Sequence, residues 1–291
     1  GKSRPLGIPT QENRAIQYVD KATLEPHYEA LFEACSYGFR PAMSTQDAIT
    51  AIWNATRLKP KWVLDADIKG CFDNINHEFL LKQIDDSLKP LIREWLKAGY
   101  MDDGHLHPTE SGTPQGGIIS PLLANIALDN PERNLVTTLR EIKGWKLRIG
   151  TLNKPKLRVV RYADDFVVLH REKEVIEKAK EVIQEWLVER GLELSPEKTR
   201  IVHSTEGFDF LGCTIRHYKN HFIKGNYKKA LMKKDDKGKR RVEKEVILQI
   251  TPSKEKVQKH KKRLAKIFSF LEISITKCSN QEAKSGHKRM G

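Results

Sequence analysis

Apolar residues recur at helical spacing from about Gln11 to Ala34, with Ile16, Val19, Leu24 and Leu31 as the expected buried stripe and Pro26 as an expected break. Before them, Gly1 to Thr10 is basic and punctuated by Pro5, Gly7 and Pro9, a pattern for an ordered loop or edge strand. Ser36 to Pro41 is rich in turn formers, after which Ser44 or Thr45 caps a helix holding Ala48, Ile49, Ile52 and Trp53. From Lys61 to Ile68 the period changes to two, which puts Asp65 and Asp67 on one strand face and Leu64, Ala66 and Ile68 on the other. A helix is predicted from near Asn76 to about Ala98, interrupted before Pro90. Gly112 to Gly117 reads as a tight loop, and a largely apolar helix follows from about Ile118 to Asp129. Pro131 to Lys156 is polar and basic, with room for a short helix.

Two β-branched runs then flank Tyr162-Ala163-Asp164-Asp165, the pattern of a β-hairpin with its turn at the acidic pair. Val175, Ile176, Ala179, Val182, Ile183, Trp186 and Leu187 predict an amphipathic helix closed by Gly191. Ser195-Pro196 looks like a helix start, and strands are expected around Arg200–His203 and Phe208–Arg216. Lys224 to Lys244 is highly charged, with a hairpin tip at Asp236 to Lys239. Pro252 to Leu271 reads as a basic helix with Val257, Leu264, Ile267, Phe268 and Leu271 on its apolar side, and the small, polar remainder to Gly291 is expected to fray.

Charge changes the picture more than size does. The 291 residues are enough for one large domain or two smaller ones. Against 38 Asp and Glu stand 52 Lys and Arg, a formal net charge of +14 that prepares the surface for a polyanion: nucleic acid first, an anionic membrane second. No run approaches the ~20 apolar residues of a membrane span, and no secretory signal opens the chain. Cys35, Cys71, Cys213 and Cys278 lack zinc-site or disulfide-framework spacing, which fits a reduced setting, a bacterial-type cytoplasm or an organelle. A first residue that is Gly1 rather than Met points to a fragment or processed product.

The candidate chemistry starts at Asp164-Asp165. Asp is an ordinary turn residue, but two adjacent carboxylates repel each other, and a fold that keeps both ionised usually supplies a cation. Asp67, at the end of a predicted strand, adds a third carboxylate. A strand and a neighbouring hairpin can converge at one sheet edge, and Mg2+ needs only two or three such oxygen ligands when water and phosphate fill its other positions. Two ions ~3.5–4 Å apart can clamp attacking and leaving oxygens together. Asp65 is placed beside such a site, and Asp73 starts the next turn. The doublet Gly116-Gly117 permits close approach of a ligand to main chain.

The ordered set RPLGIPT (4–10), YGFRP (37–41), DIKGCFDNI (67–75), GTPQGGIISPLLAN (112–125), YADDFVV (162–168), GLELSPEKT (191–199) and FLGCTI (210–215) resembles a reverse transcriptase, and more narrowly the reverse transcriptase domain of group II intron-encoded proteins. The resemblance spans about residues 2 to 270. It implies an α+β right-hand polymerase: fingers over 1–60, a palm with a ferredoxin-like antiparallel sheet over 61–222, a basic hairpin or linker over 223–250, and a partial helical thumb over 251–291. Asp67, Asp164 and Asp165 match the catalytic, metal-binding carboxylates, with two Mg2+ ions implied and Mn2+ as a substitute. Phe72 matches the aromatic gate against a 2′-hydroxyl, Gln115 the residue beside the incoming nucleotide, and Lys2 and Arg4 the cations on the triphosphate. Lys198 matches the lysine near the pyrophosphate, against a plain surface lysine as the alternative.

Template or primer contacts are implied for Gly116, Gly117 and the primer grip Phe210-Leu211-Gly212. Arg40 is either another such contact or a structural ion pair, and Lys256, Lys262 and Arg263 belong to the basic helix that would track a duplex. The implied partners are RNA template (intron RNA), a DNA primer or target, and deoxynucleoside triphosphates, with no membrane. The expected activity is RNA-directed DNA synthesis linked to intron splicing and mobility. A binding-only maturase is the rival, and a truncated inactive relic the third reading, because the family's N-terminal extension, the rest of its thumb and its Cys/His-rich endonuclease segment are not found in this sequence. Retention of all three Asp favours the enzyme.

Overall fold

The computed structural model describes residues 9–102, 105–107, 109–113, 116–143, 157–219 and 246–269. Its centre is a four-stranded sheet in the order β4-β5-β1-β6, built from β1 (Trp62–Asp67), β4 (Arg158–Tyr162), β5 (Asp165–His170) and β6 (Arg200–His203). All neighbouring strands are antiparallel. Both faces of this sheet are covered, so β1 and β5 are rich in apolar residues at successive positions rather than strictly alternating.

One face carries Leu64, Ala66, Ile68, Val159, Phe166 and Val168 into the larger core. Against it pack α6 (Ser120–Ala127), α7 (Pro131–Lys143) and α8 (Lys173–Val188). All seven apolar residues expected on α8 are buried. The other face carries Val63, Val160, Val167 and Leu169 into a second core. That core is closed by α2 (Thr45–Thr56) and by a three-stranded sheet of β7 (Phe208–Phe210), β8 (Cys213–Lys219) and β9 (Val246–Pro252). Ser44 starts α2 with a capping box: its side chain accepts from the Asp47 amide, and Asp47 accepts from the Ser44 amide at 2.8 Å.

Several sequence expectations shift. α1 (Gln11–Leu31) runs through Pro26 and buries Gln17, Leu24 and Tyr28, while Ile16, Val19 and Leu31 are 43%, 62% and 56% exposed. The face is chosen by polar anchors: the Tyr28 hydroxyl donates to the Gln83 carbonyl at 2.8 Å, and the Gln17 side-chain oxygen accepts from the Ile118 amide at 2.9 Å. The interruption expected before Pro90 is present and separates α4 (His77–Lys82) from α5 (Lys89–Lys97), which carries Pro90 in its first turn. Between α5 and α6 lies an unpredicted short hairpin, β2 (Tyr100–Asp102) with β3 (His105–His107). Ser195-Pro196 starts only a single turn, because β6 begins at Arg200. The strand expected over Phe208–Arg216 is a hairpin, bent at Leu211 (φ 49°) and Gly212 (φ 80°). A last helix, α9, spans 254–269 and is exposed along its length. The expected features at Gly1–Ile8, Lys224–Lys244 and Leu271–Gly291 lie outside the described residues.

Candidate functional site

Register builds the acidic edge. β1 and β5 pair so that Asp67 faces Asp165, and β4 pairs with β5 so that Tyr162 also faces Asp165. Only Ala163 and Asp164 remain to make the turn, and Ala163 adopts φ 58°, a left-handed conformation that costs a non-glycine residue about 1 kcal/mol. The Ile68 amide donates to the Asp164 carbonyl at 3.4 Å, tying the turn to the end of β1. Asp67, Asp164 and Asp165 are thereby collected where two strands end.

Burial pushes the Asp165 carboxyl up to about 6, helped by the charges of Asp164 and Asp67 and by hydrogen bonding to Asp67, and opposed by Lys198. Lys198 comes from the turn before β6, and its ammonium lies 2.9 Å from Asp67 Oδ2. That bond raises the Lys198 pKa, so the ammonium stays charged at the site. Two residues back along the same face of β1, Asp65 pairs with Arg200 at 2.9 Å, and burial raises its carboxyl pKa despite that bond. Among the described residues no three His, Cys, Asp or Glu side chains form a ready metal cage. The edge is instead a row of mutually repelling carboxylates, with Lys198 beside Asp67 and Arg200 beside Asp65. Such a donor set suits a hard divalent ion that keeps water or phosphate in its remaining positions.

Phe72 follows Asp67 on the short helix α3 (Cys71–Asn74), entered through Gly70 in a left-handed conformation (φ 54°). Its ring meets Phe39 edge-on at 6.0 Å. The loop after β3 leans on α3: the Thr113 amide donates to the Phe72 carbonyl at 2.6 Å, and the Gly112 amide to the Ile75 carbonyl at 2.8 Å. A Cβ on Gly112 would sit 2.4 Å from the Phe72 carbonyl oxygen, so glycine is needed for that approach. Gly116 is exposed at φ 108° and Gly117 is buried, fixed from behind by Gln17 on Ile118.

A second cluster forms at the tip of β7–β8. Phe210 is buried in the second core, and the Gly212 carbonyl accepts from the Ser253 amide at 2.9 Å, docking the start of α9 on the tip. The Lys256 stem covers Gly212, where a Cβ would approach its carbons to 3.1 Å. Lys256, Lys262 and Arg263 are exposed on α9. This cluster stands on the same face of the central sheet as the acidic edge, because the second core joins the two sheets.

Arg40 resolves toward the structural alternative. Its Nε donates to Glu29 at 2.9 Å and its Nη1 to the carbonyls of Glu33 and Ser36 at 2.8 Å, leaving a 9% exposed residue with its donors engaged inside the fold. Lys2, Arg4 and Gln115 lie outside the described residues.

Sequence reasoning passed over Arg161 and Asn125. Arg161 is 1% exposed beneath the acidic turn, and Asn125 bridges it to the Gly38 carbonyl. A signal existed: a charged residue interrupting an otherwise apolar, two-sided strand is rarely buried without a role.

Comparison with known proteins gives the family. Residues 1–215 match the family described as reverse transcriptase (RNA-dependent DNA polymerase). The chain is 36% identical over 286 residues to the group II intron-encoded protein LtrA of Lactococcus lactis subsp. cremoris, covering 79% of this chain and 48% of that one. It is 32% identical over 247 residues to protein YkfC of Escherichia coli K12, covering 73% and 63%. Among solved structures it is similar to Candida albicans telomerase in complex with a fragment of telomeric RNA, with a TM-score of 0.49 and 17% identity, covering 70% of this chain and 36% of that one. The chain thus spans about half of LtrA and just under two thirds of YkfC. With most of its length matched by the family and its motifs in order along an antiparallel α+β core, the chain belongs to the reverse transcriptase (RNA-dependent DNA polymerase) family.

Proposed function

We propose that this chain carries the polymerising centre of a group II intron reverse transcriptase, adding deoxynucleotides to a primer 3′-hydroxyl on an RNA template. The observation that carries the reading is the facing of Asp67 and Asp165 across β1 and β5, with Asp164 in the intervening turn. Fingers are assigned to 1–60, palm to 61–222, a basic connection to 223–250 and the start of a thumb to 251–291.

Asp67, Asp164 and Asp165 are the residues to hold two divalent ions, Mg2+ or in its place Mn2+. When bound, such ions lower the pKa of the primer hydroxyl and offset charge on the α-phosphate and the departing pyrophosphate. The protein's own part is positioning and charge. Lys198, held charged beside Asp67, is placed to offset negative charge on the leaving pyrophosphate. Phe72, fixed through its carbonyl by Thr113 and through its ring by Phe39, is assigned to exclude a 2′-hydroxyl from the sugar site. Lys2, Arg4 and Gln115 are assigned to the incoming triphosphate and nucleotide. Gly116 and Gly117 let main chain approach the template or nucleotide. The Phe210-Leu211-Gly212 tip, with Lys256 over it, is assigned to the primer strand, and Lys262 and Arg263 to duplex phosphates.

The relatives' description as intron-encoded supports intron RNA as the natural template, with splicing and mobility as the setting. The basic surface of α9 keeps a second reading in view: a maturase that binds intron RNA without polymerising. Primer extension on RNA with Mg2+ separates the two. Wild type extends and Asp164→Ala does not; extension that survives Asp164→Ala overturns the assignment. Salt-sensitive RNA binding without any extension selects the maturase.

A further inference from the structure

Beneath the acidic turn, on the opposite face of the sheet from the carboxylates, lies Arg161. It is 1% exposed, and among the described residues no carboxylate reaches it within ion-pair distance. Its Nη2 donates to Ser36 Oγ at 2.7 Å, and its Nη1 to Asn125 Oδ1 at 3.1 Å and to the Ala163 carbonyl at 3.2 Å. Asn125 passes the connection on, donating from Nδ2 to the Gly38 carbonyl at 2.9 Å. Gly38 in turn lies against the turn so closely that a Cβ would meet the Ala163 amide nitrogen at 2.4 Å. Main chain completes the clamp: the Arg161 amide donates to the Cys35 carbonyl at 2.8 Å, and the Tyr37 amide to the Arg161 carbonyl at 2.9 Å.

Among the described residues the carboxylate charge acting on this buried guanidinium is that of Asp129, beyond ion-pair distance. A guanidinium so placed is an expensive way to fill a core position, since an apolar side chain of similar length fills it without desolvating a charge. Arginine does not give up its proton in proteins, so the charge stays. Charges on both sides meet at the buried Cys71 thiol, which burial and then Asp164 push up to about 12 while Arg161 opposes. The positive charge under the sheet and the negative cluster above it are therefore within electrostatic reach of one side chain.

We propose that Arg161 is a positioning residue for the carboxylate site: through the Ala163 carbonyl it holds the left-handed turn that aims Asp164 and Asp165, and it sets a fixed positive charge behind them. The fork shape matters to the first role, because one planar group must reach Ser36, Asn125 and Ala163 together. The charge matters to the second, because it lowers the repulsion among three carboxylates before any ion arrives. The inference rests on reading the acidic edge as a metal site, but its hydrogen-exchange arm does not.

Arg161→Met and Arg161→Lys separate the roles, with the whole chain measured in each case. Hydrogen exchange without divalent ions reads the turn. Both variants are expected to exchange the 164–166 amides at least tenfold faster than wild type, with α8 unchanged. Mn2+ binding followed by electron paramagnetic resonance reads the charge: a tenfold or greater loss of affinity is expected in Arg161→Met and less than threefold in Arg161→Lys. If Arg161→Met does not fold, Arg161→Lys alone decides, on its exchange rates. Wild-type exchange at 164–166 in Arg161→Lys overturns the proposal, as does wild-type Mn2+ affinity in a folded Arg161→Met. Wild type that binds no Mn2+ refutes the metal reading and the charge role together, and leaves the turn-holding role to be judged by exchange.

Discussion

Asp165 is a carboxyl whose folded surroundings favour the proton. Burial, then the charges of Asp164 and Asp67, lift its pKa to about 6 from an ordinary 3.8. Between those values the folded protein holds a proton that the unfolded chain has released. The stability this group contributes is therefore full below about pH 4 and lost as pH rises through about 6. Asp165→Asn removes the penalty. Thermal unfolding without divalent ions should find the variant more stable than wild type above about pH 6, with the gap closing toward about pH 4. A gap independent of pH contradicts the assignment. Added Mg2+ should then raise the melting temperature of wild type more than that of the variant, since an ion bound only by the folded state stabilises it. The gathering of the three carboxylates at one sheet edge was legible in the sequence, because a strand ending in Asp67 and an acidic hairpin turn can converge there. Arg40 was not, because whether an arginine faces Glu29 or a nucleic acid depends on the packing of α1 against the Ser36–Pro41 turn.

The β4–β5 hairpin shows what an element adds to its residues. Its turn carries alanine in a left-handed conformation where glycine would be cheaper, so the surroundings must impose it. Gly38 is part of that surrounding, with no space for a Cβ against the Ala163 amide. Gly38→Ala should cost about 2 kcal/mol or more in urea unfolding, because backbone rather than a flexible side chain stands in the way. A loss within the ordinary surface range of about 0.5 kcal/mol removes Gly38 from the turn's support. Periodicity served where one face alone is buried: α8 covers one face of the sheet, and its predicted stripe is the buried one. It misled on α1, where sparse apolar residues left the face to Gln17 and Tyr28. It also missed β9, whose alternating half-exposed residues follow a long charged stretch.

Across the whole molecule, charge and shape act together. The formal +14 is carried in part by α9, where Lys256, Lys259, Lys262, Arg263 and Lys266 share one arc beside an apolar arc of Val257, Leu264, Ile267 and Phe268. If that basic arc meets duplex phosphates, replacing Lys256, Lys262 and Arg263 together by alanine should flatten the plot of log binding constant against log salt by about 2 to 3. An unchanged slope would place the duplex elsewhere. The fold class was readable through the family resemblance that the ordered motifs carry, and the acidic hairpin through its own short-range pattern. The joining of the two sheets through one core was not, because that core draws on residues as far apart in the chain as Ala48 and Ile215. The central claim is that this joined surface brings a primer end to the Asp67, Asp164 and Asp165 edge. Single-turnover addition of one deoxynucleotide to a DNA primer annealed to RNA, with Mg2+, tests it most directly, using wild type and Asp67→Asn, Asp164→Asn and Asp165→Asn. The account predicts addition by wild type and a loss of about a thousandfold or more in each variant. Addition within tenfold of wild type by any one of them would contradict it.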